Sequence, residues 1–233
     1  MFLRSLLFAL FQMLVTPPYA LFALCTFALP RMTRYRLISG WSWLMIRMAR
    51  TILGIEWRVE GQEHLPSRPA VILSKHQSAW ETMAFTMIFP PQVHVLKREL
   101  LWIPFFGWGL ALMSPIAINR SRGVRALRTI ARRGRERLAQ GFWVVVFPEG
   151  TRVAPGVQRE YQPGGAWLAC ATGAPVVPVA HNAGLYWPRN AFLKRAGTVT
   201  IRIGPSIDST KCDPLTINAM AKEWIEEQQK ALG

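Results

Sequence analysis

Acidic residues are scarce in this chain. Against 28 Lys and Arg, its 233 residues hold 13 Asp and Glu, with none before Glu56 and no Asp before Asp208. The formal charge is +15 and the isoelectric point about 11.0, a balance that implies a polyanionic partner: nucleic acid, an anionic membrane or acidic small molecules. Lysine is scarce too. Of the 28 cations 22 are arginine, whose planar fork suits phosphate and carboxylate better than an ammonium does. The three cysteines, Cys25, Cys170 and Cys212, stand far apart with no CxxC pair. This argues against a disulfide framework and a metal site, fits a reducing compartment, and leaves them as small apolar fillers. No helix-turn-helix, RNP or zinc pattern accompanies the charge, so no nucleic acid is expected. No Gly-x-Ser-x-Gly elbow is present, which argues against an α/β-hydrolase. Repeats and low-complexity segments are absent.

Apolar residues are abundant: 51% of the chain, with a mean hydropathy of +0.16. Ser5 to Leu29 contains no charge at all. As one helix, that run would span roughly 37 Å, enough for a hydrocarbon core of about 30 Å. Pro17-Pro18 interrupts it, so the readings are a kinked transmembrane helix or two short helices dipping into one leaflet, with a signal peptide as the third. From residue 31 to 58, Arg31, Arg34, Arg36, Arg47, Arg50 and Arg58 alternate with Trp41, Trp43 and aliphatic residues. Arg and Trp around apolar positions describe a helix at a membrane surface; the plainer alternative is a buried helix of a soluble core. The excess of Arg31, Arg34 and Arg36 over Arg4 places the remainder of the chain in the cytoplasm. Residues 1–55 are therefore expected to be a membrane-associating helical segment at the inner, cytoplasmic membrane, with anionic lipids as partners.

Beyond residue 56 the pattern changes. Short apolar runs at Trp57–Val59, Ala70–Leu73, Val93–Leu96, Pro115–Asn119, Trp143–Phe147, Val176–Ala180 and Val199–Ile203 read as strands. Helical patterns lie between or after them at Ser78–Ile88, Gly123–Ala139, Gly164–Ala171 and Pro214–Ala231. This alternation predicts an α/β domain over 56–233 with a mixed, largely buried central sheet flanked by helices. In the arginine-rich helix, Val124, Leu127, Ala131 and Leu138 are expected to face the core, and its cations to be solvated or to meet anionic lipid or an acidic carrier protein. The last helix, with Glu223, Glu226 and Glu227, reads as a plain amphipathic closing element.

The chemistry-bearing stretches sit at strand ends. His76 follows the second strand, and Glu81 lies one turn into the next helix. Five residues apart across a strand-to-helix turn, the two can hydrogen-bond: imidazole takes a proton, and carboxylate fixes the tautomer and stabilises the imidazolium. A lone His at a turn is more often a packing residue. Phe147-Pro148-Glu149-Gly150-Thr151-Arg152 closes the fifth strand; Gly150 allows close backbone approach, Thr151 can donate, and Arg152 can fork onto a phosphate. Alone, it could be an ordinary turn. Lys97 and Arg98 precede an aromatic, glycine-containing turn ending at Gly107-Trp108-Gly109; they either approach a substrate phosphate or form a solvated basic pair. His181, ending the Val176–Ala180 run, is expected to hydrogen-bond locally.

As an ordered set these stretches resemble the bacterial 1-acylglycerol-3-phosphate acyltransferase family, over most of residues 56–205. The first block stands here as His76-Gln77-Ser78-Ala79-Trp80-Glu81, with Glu in the family's Asp position. Lys97 to Gly107, Phe147–Arg152 and Val176–Pro178 correspond to the other three. Where a basic residue is expected after the third block, this chain reads Tyr161-Gln162-Pro163-Gly164. The resemblance implies a glycerol-3-phosphate acyltransferase-like fold. It implies His76 as base and Glu81 as its orienting carboxylate, with Arg152 as a phosphate ligand, Glu149 and Gly150 shaping the acceptor site, and Lys97 or Arg98 as a second phosphate contact. The implied reaction acylates lysophosphatidic acid at its free hydroxyl, giving phosphatidic acid. The donor is an acyl carrier protein or coenzyme A thioester, with no other cofactor. A thioester is already activated, so neither metal nor covalent nucleophile is needed. Another lysolipid acceptor, such as a lyso-ornithine lipid, and a non-catalytic membrane-binding module are the alternatives.

Overall fold

A computed structural model describes residues 1–119 and 123–233 of the chain. Seven strands form one sheet: β1 (Ile55–Glu60), β2 (Val71–Ser74), β3 (Gln92–Lys97), β4 (Ile116–Ile118), β5 (Trp143–Val146), β6 (Val176–His181) and β7 (Gly197–Ile203). Their order is β1-β7-β6-β2-β5-β3-β4. The pair β6–β7 is antiparallel and the other neighbours are parallel, so the sheet is mixed, as expected. Parallel strands need crossovers that cover both faces of a sheet, which is why β2 and β5 are buried at every position and, but for Ser74 at the end of β2, apolar.

The helices are α1 (Phe2–Cys25), α2 (Arg31–Met48), α3 (Trp80–Ile88), α4 (Phe106–Leu112), α5 (Val124–Ala139), α6 (Gly164–Thr172), α7 (Ala183–Tyr186) and α8 (Pro214–Leu232). The uncharged run forms one helix rather than two, since α1 passes through Pro17 and Pro18. Its length and composition suffice to cross a membrane. α2 folds back against it: the Tyr19 hydroxyl donates to the Leu37 carbonyl at 2.7 Å, and Trp41 Nε1–H to Thr16 Oγ1 at 3.3 Å. One face of α1 enters the core of the α/β unit. Phe8 is fully buried in a cluster that includes Met45, Ile72 and Val177, and its ring meets Trp187 edge-on at 5.2 Å. The opposite face exposes Leu10, Met13 and Leu14. The first 55 residues thus share a core with the rest.

Two elements differ from the sequence reading. α4 lies in a segment whose glycines suggest a turn; instead Gly107 N–H donates to the Ile103 carbonyl at 2.7 Å, and a Cβ on Gly107 would stand 2.5 Å from the Leu101 carbonyl oxygen. That glycine is there for close approach of backbones. In α5 the buried stripe is Ala126, Ile130, Gly134 and Arg137; of the expected positions Leu127, Ala131 and Leu138 are half-buried, Leu138 packing on the core, and Val124 is exposed. The helix is rotated because α6 crosses at Gly134, where a Cβ would sit 2.5 Å from the Leu168 methyls. Arg137 accordingly points inward and donates to the Ser114 carbonyl at 2.9 Å.

Candidate active site

In an open α/β sheet the C-terminal ends of parallel strands present loops on one edge. Here β2, β5 and β3 are neighbours, so three stretches far apart in sequence leave the sheet side by side: Lys75–Ala79, Phe147–Arg152 and Lys97–Arg98. His76 is the second residue after β2, and α3 begins at Trp80, whose N–H is capped by the Ser78 hydroxyl at 3.0 Å.

His76 Nδ1 lies 2.8 Å from Glu81 Oε1. The same oxygen accepts the backbone N–H of Gln77 at 3.0 Å and of Ser78 at 2.8 Å. Glu81 is fully buried. Burial alone would raise its carboxyl; the attraction of His181 and His76 and the Ser78 N–H outweigh it and hold the group below the usual carboxylate range. Burial pushes His181 itself down, so that ring is neutral, and the lasting support for the Glu81 charge is its three N–H donors. With Nδ1–H committed to Glu81, Nε2 carries the lone pair. The side chain of His76 remains 15% exposed, which is what a base needs to reach substrate. Its ring lies flat on Phe147, centroids 4.0 Å apart and planes 16° apart. Phe147 therefore holds the plane of the imidazole while Glu81 holds its edge.

The loop after β5 is tied to this histidine through its backbone. Val153 N–H donates to the His76 carbonyl at 2.7 Å, and Gly150 turns the chain at φ 71° with its N–H on the Phe147 carbonyl at 3.0 Å. Glu149 points inward, not toward solvent: it is 6% exposed, its Oε1 lies 3.6 Å from Lys75 Nζ, and His76 N–H reaches it at 3.5 Å. Burial pushes its carboxyl up to about 7, against the pull of Lys75. Thr151 and Arg152 are partly exposed. Among the described residues the Arg152 guanidinium meets no acidic side chain.

Arg152 lines a cavity of about 170 Å³ together with Ala79, Thr82 and His94. The rest of its wall is mainly apolar and comes largely from α1, α2 and α4, including Ala20, Trp41, Phe106 and Gly109, with Gln12, Thr16 and Ser42 among its polar members. Burial pushes His94 down to about 4, so its ring is neutral there. The second basic pair stands at the end of β3, the neighbour of β5. Lys97 is exposed, and Arg98 stands over the Trp102 ring at 5.9 Å and lines a separate cavity of about 490 Å³ with Arg125 and Arg133. The structure thus joins His76 to Glu81 and brings the Phe147–Arg152 loop against them, with Arg152 lining the first of these cavities and Arg98 the second.

A family model described as "Acyltransferase" matches residues 56–182, more than half of the chain. This chain belongs to the acyltransferase family. It is 46% identical over 203 residues to the 1-acyl-sn-glycerol-3-phosphate acyltransferase of Pseudomonas aeruginosa, covering 85% of this chain and 79% of that protein. It is 30% identical over 177 residues to the human 1-acyl-sn-glycerol-3-phosphate acyltransferase beta, covering 74% of this chain and 62% of that protein. The crystal structure of the 1-acyl-sn-glycerophosphate acyltransferase PlsC from Thermotoga maritima superposes with a TM-score of 0.81 over 99% of this chain and 95% of that one, at 22% identity. The fold of the acyltransferase is therefore the PlsC fold.

Sequence reasoning missed several residues that shape this candidate site. Phe147 was legible as part of a loop but not as the plate beneath His76. Lys75 is 1% exposed and faces two carboxylates, of which Glu226 comes from the helix expected merely to close the fold. His181 does hydrogen-bond locally, its Nδ1 accepting the Ala183 N–H at 3.3 Å, and its Nε2 also lies 2.8 Å from the Lys75 carbonyl, 106 positions away in the chain. The one available signal was Lys75 itself, a cation directly after a fully buried strand that is apolar up to Ser74.

Proposed function

We propose that this acyltransferase moves a fatty acyl group from an acyl carrier protein or coenzyme A thioester to the free sn-2 hydroxyl of 1-acylglycerol 3-phosphate, giving phosphatidic acid. The observation that carries this reading is the His76–Glu81 pair, with Nε2 free and the ring partly exposed, beside an apolar cavity that Arg152 lines. The relatives named as 1-acylglycerol-3-phosphate acyltransferases support the acceptor.

In this mechanism Nε2 removes the proton of the acceptor hydroxyl as its oxygen attacks the thioester carbonyl. The tetrahedral intermediate collapses, the C–S bond breaks, and the imidazolium returns the proton to the departing thiolate. Glu81 holds the tautomer throughout and stabilises the imidazolium. Arg152 forks onto the acceptor phosphate, and the cavity takes a fatty acyl chain, for which its apolar wall is suited. The exposed Leu10, Met13 and Leu14 of α1 sit in the membrane, and Trp102 and Ile103, exposed beside α4, lie at its surface. By the arginine excess after α1, the catalytic side faces the cytoplasm.

The test is purified enzyme offered both donors with lysophosphatidic acid, its lyso-ornithine analogue and glycerol 3-phosphate. Turnover of lysophosphatidic acid well above the other acceptors is expected; preference for a phosphate-free lysolipid would overturn the acceptor assignment.

A further inference from the structure

His76 is held by its neighbours in the chain, and those neighbours are held by the last helix. Lys75 and Gln77 are both 1% exposed. Lys75 Nζ lies 2.7 Å from Glu226 Oε1 and donates to the Val157 carbonyl at 3.0 Å. Gln77 Nε2–H donates to Gln229 Oε1 at 2.7 Å, and its own Oε1 accepts Gly184 N–H at 3.1 Å. Glu226 and Gln229 are three residues apart on α8 and so share one face. Two further bonds brace that face. The Tyr161 hydroxyl donates to Glu226 Oε1 at 2.9 Å, and Gln229 Nε2–H donates to the His181 carbonyl at 2.9 Å.

A polar arrangement at this place has a cost that fold closure does not require. The other inward positions of α8 are Ile217, Ala221 and Ile225, all fully buried and apolar. A buried ion pair adds little net stability over apolar residues of the same volume, because desolvation of both charges offsets their attraction. What such a pair supplies is register: it is satisfied at one relative placement of the two segments and not at others. Among the polar side chains of α8, Glu226 and Gln229 are the two that meet the residues flanking His76, while Asn218 and Gln228 bond to Tyr161 and Arg202.

We propose that α8 is a positioning element of the catalytic site, with Glu226 and Gln229 fixing Lys75 and Gln77 so that the backbone at His76 cannot shift. Glu81 and Phe147 then orient an imidazole whose Cα is already placed. The proposal rests on His76 being the base.

The experiment uses the full-length enzyme and two variants: Gln229→Met, and the double variant Lys75→Met/Glu226→Leu, which removes both members of the closest ion pair and leaves Glu149, whose carboxyl burial already pushes up, to take a proton. For each, kcat and acceptor KM are measured beside the thermal midpoint. A displacement near 1 Å at a reacting group costs about 100-fold in rate. The expected result is therefore kcat lower by roughly 10- to 100-fold, with KM within about twofold of wild type and a thermal midpoint close to it. Wild-type kcat in either variant overturns the proposal. So does a kcat that merely follows the thermal midpoint, or a loss confined to KM. His76→Ala in the same series separates the two readings. If it retains turnover, the base assignment fails and α8 positions nothing. If it is inactive while kcat in the α8 variants is normal, positioning by α8 alone fails.

Discussion

Glu81 holds His76 with the carboxylate oxygen that also accepts the N–H groups of Gln77 and Ser78, so one atom fixes both the ring and the backbone around it. Its other oxygen, Oε2, has no partner among the described residues. The work of this carboxylate is concentrated on a single atom whose position is set by the full length of a Glu side chain.

Glu81→Gln keeps that length and loses the charge. An amide N–H turned toward Nδ1 would favour the wrong tautomer, and the buried N–H groups of Gln77 and Ser78 would lose a charged acceptor. A fall of at least about two decades in kcat is expected, within the range of a positioned general base. His76→Ala should be as severe and the double variant little worse, since the two act as a unit. Glu81→Asp, shorter by one methylene, should leave low but measurable turnover. Near-normal kcat in a folded Glu81→Gln variant would remove Glu81 from the mechanism.

Arg152→Ala should lower kcat/KM for a phosphate-bearing acceptor by one to two decades, the loss of a charge-assisted contact of roughly 1.5–3 kcal/mol. Arg152→Lys should recover little, because the fork is gone. The control is a phosphate-free acceptor: if it suffers equally, Arg152 does not read the phosphate.

Glu149 gives a pH signature of stability. Its folded-state value of about 7 stands above the ordinary 4.5, so the folded protein holds a proton that the unfolded chain releases first. Stability from this group therefore falls as pH rises from about 4.5 to 7 and is level above that; the total is on the order of 3 kcal/mol. Glu149→Gln cannot ionise. Relative to wild type its thermal midpoint should be higher at pH 8 than at pH 5, and a difference of the opposite sign would contradict the assignment.

The sheet was legible because buried parallel strands are written as continuous apolar runs, and all seven expected strands are present. The His76–Glu81 pair was legible because five residues across a strand-to-helix turn suffice to define it. Glu226 was not: in α8 it follows the same spacing as Glu223 and Glu227, which face water, and only folding brings it to Lys75, 151 positions earlier. The α5 stripe was misplaced by tertiary packing, since nothing local announces that α6 will cross at Gly134. The two prolines of α1 suggested a break that packing against α2 does not require.

Membrane binding should depend on the outer face of α1. Deleting residues 1–55 is a poor test, because it also removes Phe8, Met45 and Ile46 from the core. Leu10→Asp and Leu14→Asp act on positions 53% and 76% exposed. Each charge in hydrocarbon costs roughly 2.5–3.5 kcal/mol. Flotation with anionic liposomes should therefore fall by at least about tenfold while the thermal midpoint stays put; undiminished flotation would place the attachment elsewhere.

Gly109 tests what the apolar cavity holds. It lines that cavity from α4, and a Cβ built on it meets nothing within 4 Å. Gly109→Leu therefore starts an apolar side chain in open space at its Cβ, and replaces the poorest non-proline helix former with a good one. The fold should tolerate it, and the thermal midpoint should hold or rise. If the cavity takes the acyl chain of the donor, the new side chain excludes its far end. Each methylene kept out of the apolar wall forfeits about 0.8 kcal/mol, roughly fourfold in kcat/KM. Offered a ladder of thioesters of increasing chain length with one acceptor, the variant should match wild type on the shortest donors and fall behind it progressively on longer ones. A uniform loss across the ladder would mean that the chain lies outside this cavity, and that Gly109 serves only the packing of α4.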